Sequence, residues 1–84
     1  MHLDLGNNFR GIETSEGVCG GEPCVVRTRI PVWVLEQARR LGTDEGTLLR
    51  AYPSLCAEDL ANAWAFVRAR KPEIELQIRE HEAS

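Results

Sequence analysis

Apolar, β-branched residues cluster in short runs early in the chain, and apolar positions then recur at helical spacing. This pattern predicts a small β element followed by helices. Ile12-Glu13 starts a first short strand. Cys24-Val25-Val26-Arg27 forms a second, because β-branched side chains suit a pleated surface. Gly17-Val18-Cys19-Gly20-Gly21 is the flexible turn between them. A two-stranded hairpin is marginally stable alone, so it must lie on the helices or pair with a second subunit. Pro31 pushes Ile30 out of helical geometry and opens a first helix, whose apolar face is Val34, Leu35, Ala38 and Leu41; Gly42 ends it. Thr43 N-caps a second helix, with Asp44 and Glu45 in its first turn and Leu48, Leu49 and Tyr52 as its buried stripe. Tyr52-Pro53-Ser54 then forces a turn.

A third helix starts near Cys56 or Ala57. It buries Leu60, Ala63, Trp64 and Val67, while Phe66 falls off that stripe. Pro72 starts a fourth helix, on which Ile74 and Ile78 share one face among Glu73, Glu75, Arg79, Glu80 and Glu82. That face is too thin to bury itself, so the segment reads as a solvated tail or a partner-binding helix. The fold class is therefore mainly α. It is a small three- to four-helix domain of helix-turn-helix type with an N-terminal β-hairpin. Residues 1–10 form a flexible leader, 11–71 the domain, and 72–84 an acidic C-terminal helix or tail.

Eighty-four residues allow one small domain, of a size that often gains stability by dimerising. The 43% apolar fraction argues against disorder. The net charge of −3 is uneven: residues 44–84 carry all of it, whereas four bases face one acid between Arg27 and Arg40. Such a basic stripe is either ordinary solvated surface or a meeting point for nucleic acid or an acidic partner. Three cysteines cannot all pair within one chain, which suggests a reducing compartment with thiols serving as small apolar residues. With no signal-peptide pattern and no apolar run near the ~20 residues of a membrane span, the expected location is cytoplasmic, away from the membrane.

The candidate chemistry is binding. On a strand Arg27 and Arg29 share a face and either grip phosphates or carboxylates or pair with an acid inside a dimer. With Thr28, Arg39, Arg40 and Asn62 they form the candidate DNA- or partner-binding set. Asn62 can read adenine, but Glu58 and Asp59 in the first turn of the third helix oppose phosphate charge. Any DNA contact would therefore fall largely to the hairpin and Arg39-Arg40. Trp33, Phe66, Ile74 and Ile78 are the candidate partner interface. Cys19 and Cys24 are badly spaced for zinc, with His2 and His81 at opposite ends of the chain. Neither a nucleophile–base pair nor a phosphate-cradling loop stands out, so neither an enzyme nor a cofactor or metal is expected.

Gly21, Pro23, Val25, Thr28, Arg29, Ile30, Pro31 and Val32, followed by Tyr52, Pro53, Leu55, Glu58 and Asp59, resemble the bacterial family called domain of unknown function 433, over roughly residues 11–70. The resemblance implies a homeodomain-like helical fold with an N-terminal hairpin, often dimeric. It also implies an antitoxin of VapB type that neutralises a PIN-like ribonuclease toxin from an adjacent gene and represses its own operon. The chain departs from the family at Arg27, where glycine is usual, and at Cys56, where Thr or Ser is common. An arginine at position 27 argues against a left-handed backbone there. Cys56 exchanges a good N-cap for a poor one. The expected function is thus that of an antitoxin-like homodimer whose acidic last helix reaches the toxin. The alternative is a dimeric adaptor that never touches DNA.

Overall fold

Cys24 and Val25, predicted to begin a strand, lie in the middle of a three-stranded antiparallel sheet in the computed structural model, which describes residues 10–14 and 22–83. Residues 1–9 of the expected leader and the glycine turn at 17–21 lie outside the described residues. Strand β1 (Ile12–Glu13) pairs with β2 (Cys24–Val25), placing Ile12 opposite Val25. Strand β3 (Ile30–Pro31) closes the other side, with Val25 opposite Ile30 and Cys24 opposite Pro31. The expected two-stranded hairpin is therefore corrected to three strands. Pro31 hid the third, but a residue without an N–H is tolerated on an edge strand, and β3 is one. The second strand also ends earlier than expected, because residues 26–29 turn.

Helix α1 (Val32–Arg40) begins directly after Pro31 and buries Val32, Leu35 and Glu36. Its face is rotated from the expected one: Leu41 is 81% exposed. The cause is the helix end. Gly42, at φ +99°, donates to the Arg39 carbonyl and Thr43 to the Ala38 carbonyl, a Schellman arrangement that swings Leu41 away from the core. Helix α2 (Glu45–Ala51) is capped by Asp44, whose Oδ1 accepts from Thr47 N at 2.8 Å, so the cap falls one residue after the expected Thr43. Helix α3 (Ala57–Ala69) starts after Cys56. There Asp59 Oδ2, at the third helical position, accepts from Cys56 N at 3.0 Å and from its thiol at 3.5 Å, the acidic half of a capping box.

Helix α4 (Lys71–Glu82) follows α3 after Arg70 alone. The reading of α4 as a solvated tail is overturned, since Ile74 is 0% and Ile78 4% exposed within the shared core. The acids that made this helix look unburiable are used by α1. Arg40 Nη1 reaches Glu75 Oε1 at 2.7 Å and Gln37 Nε2 reaches Glu82 Oε2 at 3.4 Å. Leu35, Leu48, Leu60, Ile74, Val25 and Val32 are the largest completely buried aliphatic side chains, and they draw sheet and helices into one core. No helix among the described residues is long and apolar enough to cross a membrane.

Candidate nucleic-acid and partner interface

The Arg27-Thr28-Arg29 triplet sits on a turn, which corrects the expectation that both arginines point from one face of a strand. Thr28 organises that turn. Its N–H and its hydroxyl both donate to the Val25 carbonyl, at 3.1 and 3.0 Å, and Oγ1 accepts from Ile30 N at 3.1 Å. Arg27 and Arg29 take φ of +71° and +60°, so the expectation that an arginine would exclude a left-handed backbone at position 27 is also corrected. Local bonding to Thr28 outweighs the Cβ repulsion of roughly 1–2 kcal/mol that such a conformation carries. Both arginine side chains stand exposed at the end of the sheet.

The structure brings a residue to this end that the sequence reading left in the leader. Val26 N donates to the Gly11 carbonyl at 2.9 Å, which brings exposed Arg10 to the same end of the sheet as the 26–29 turn. Asn62 arrives from α3. Its amide packs over Gly11 so closely that a Cβ added there would meet Asn62 Nδ2 at 2.5 Å. The one sequence signal for Arg10 was its distance from Ile12 in a hairpin whose register was not yet known.

Arg39 and Arg40 are held elsewhere. Glu36, buried on α1, accepts from Arg39 Nε and Arg40 Nε at 2.8 Å each, one carboxylate oxygen per arginine. Hydrogen bonding to Glu75 and then to Glu36 raises the affinity of the Arg40 guanidinium for its proton. The same bond holds the Glu75 carboxyl below its usual range. The Arg39 guanidinium lies 4.5 Å from the centroid of the Trp64 ring. This end of the basic stripe therefore knits α1 to its neighbours, and the spacing of Glu36 from Arg39 and Arg40 was its signal.

Three of the four expected partner-interface residues are core residues. Phe66 is 3% exposed and belongs, with Ile74 and Ile78, to the buried cluster. Phe66 looked off-face because one apolar stripe was expected on α3, whereas this helix packs against α1, α2 and α4. Trp33 is half-buried in a clasp. Its Nε1 donates to Glu22 Oε1 at 2.9 Å, and its ring stacks on His81 with centroids 3.9 Å apart. His81 Nε2 in turn lies 3.1 Å from Glu22 Oε2. Trp64 is core, as its spacing predicted, and donates to Glu45 Oε2 at 2.7 Å. Cys24 is buried as a small apolar residue, but Cys56 is exposed, correcting that reading for it. Among the described residues no cluster of His, Cys, Asp and Glu is arranged to hold a metal ion, and no ligand-sized cleft opens.

Residues 12–67 match the model of a family described as protein of unknown function (DUF433). A crystal structure of a DUF433 member protein from Anabaena variabilis ATCC 29413 is similar in fold, with a TM-score of 0.80 and 40% identity. The match covers 82% of this chain and 68% of that one. No protein with a curated description matches the chain.

Proposed function

Starting from a chain that belongs to the DUF433 family of proteins of unknown function, we propose that it works by stoichiometric binding, as an antitoxin-like homodimer. It neutralises a PIN-like ribonuclease toxin encoded beside it and contacts its operator DNA. The observation that supports this best is the α2–α3 pair, two helices joined by the short Tyr52–Cys56 connection and backed by a shared core. The outer side of α3 stays open at Ala57, Glu58, Ala61 and Arg68, as a helix-turn-helix unit requires. Because Ile74 and Ile78 are buried, a toxin-facing surface on α4 must run through its exposed positions, among them Leu76 and Arg79.

Co-expression with a tagged product of the adjacent gene tests this reading. The expected result is a complex of fixed stoichiometry and relief of the growth arrest that the neighbour causes alone. A neighbour that is harmless and does not retain this chain removes the antitoxin reading. A second reading, a dimeric adaptor that leaves DNA alone, is favoured by exposed Glu58 at the start of α3, where a helix entering a groove would meet phosphate.

A further inference from the structure

Arg27 lies in the left-handed region and is exposed. Glycine adopts this conformation freely, whereas a side-chain-bearing residue is strained in it. The turn does not depend on the arginine for its closure. Thr28 provides that, through its two bonds to the Val25 carbonyl and the one it accepts from Ile30 N. What an arginine adds at position 27 is thus a guanidinium projecting from the end of the sheet. A strained residue left exposed in this way is a place to look for function. Arg10 precedes Gly11, whose carbonyl accepts from Val26 N, and so lies at the same end of the sheet as Arg27; exposed Arg29 follows two residues on, also at positive φ. Three cations from two chain segments are therefore gathered at one edge of a protein whose net charge is −3.

We propose that this edge, with Arg10 and Arg27 as its principal contacts and Arg29 beside them, grips the phosphate backbone of duplex DNA and lays the Asn62 flank of α3 against the groove. This rests on the DNA-binding part of the function proposed above and changes its geometry: the sheet end leads, and the acidic first turn of α3 stays away from the backbone. A row of guanidiniums suits a repeating line of phosphates, each able to accept two hydrogen bonds from one arginine. Asn62 packs over Gly11, directly beside that row, where an amide can meet a base edge. Acids lie further along both elements, Glu13 opposite Cys24 on β1 and Glu58 one turn before Asn62 on α3, so the contact is confined to the sheet end.

The test measures fluorescence anisotropy of a labelled random-sequence duplex of about 30 base pairs with the full-length chain, between about 50 and 200 mM salt. Wild type is expected to bind with a salt slope near −2 to −3, about 0.9 per phosphate contacted. Arg27→Gly is expected to lower the slope by about one and to weaken binding roughly eightfold near 0.1 M salt. Its melting temperature should nevertheless stay level or rise, since glycine relieves the turn. Arg10→Ala should weaken binding similarly from the other chain segment. If wild type binds and both variants bind equally well, the sheet end is not the contact, while the DNA-binding reading stands. If Arg27→Gly spares DNA binding but releases the toxin, the edge serves an acidic protein surface and the proposal falls. If wild type fails to bind at the lowest salt, the proposal and the DNA-binding reading fall together.

Discussion

Phe66 and Trp64 stand two residues apart on α3, yet both are buried, because more than one neighbour covers the helix. Phe66→Ala should therefore cost about 3–5 kcal/mol in urea unfolding of the chain by itself. An interface residue would leave that measurement nearly unchanged. Asp44 and Glu75 make a different kind of contribution. Bonding to the Thr47 N–H holds the Asp44 carboxyl below its usual range, and the Arg40 guanidinium does the same for Glu75. A carboxyl that is more acidic in the fold stabilises it fully above its unfolded value, about pH 4, and ceases to do so as pH falls through the folded value. The melting temperature should thus decline on acidification and hold on mild alkalinisation. Asp44→Asn with Glu75→Gln keeps a competent cap while removing both titrations, so its acid decline should be shallower. An equally steep decline would assign the acid sensitivity to other groups.

Helix α4 marks the boundary of what the chain's pattern conveyed. The strand at Ile12–Glu13, the helix stop at Gly42, the Tyr52–Ser54 turn and the core role of Leu60, Ala63, Trp64 and Val67 were all legible, because each rests on local chemistry or on one helical period. The burial of α4 was not, since it depends on Arg40 and Gln37, which lie 35 and 45 residues away from the acids they engage. Spacing within a single helix contains no trace of such partners. The left-handed turn at 27–29 was illegible for a related reason: three bonds to Thr28 outweigh the propensity of the arginines on either side of it. Placing Arg10 at the same end of the sheet as Arg27 needed the pairing of β1 with β2, which no single strand shows. A chain ending at Arg70 should consequently lose its cooperative melt by circular dichroism, because Ile74 and Ile78 leave the core with α4. A folded truncation with an unchanged melt would return α4 to the role of an appendage.

Across the whole molecule, cations and acids are sorted by task. Arg39 and Arg40 are bound to Glu36, and Arg40 also to Glu75, so they fasten α1 and its C-terminal partner helix. Arg10, Arg27 and Arg29 are exposed at the sheet end. The basic stripe seen in the sequence is therefore two separate groups, one tied into ion pairs with Glu36 and Glu75 and one at the sheet end. This division is why the salt titration and the co-expression experiment probe different parts of the surface.

The clasp of Glu22, Trp33 and His81 imposes an order of events on the chain. Its Glu22–His81 contact joins residues 59 positions apart, against 19 for the Trp64–Glu45 bond inside the helical body. Closing the longer loop carries roughly 1 kcal/mol more entropy loss, and its reward is a contact that is exposed at the histidine. The clasp is accordingly expected to part before the core as the chain loosens, which amide exchange along α4 would read as faster exchange near His81 than near Ile74. Such a gradient would make the sheet-and-helix rim at Trp33 the place where the domain first yields, with Ile74, completely buried, the place where it yields last.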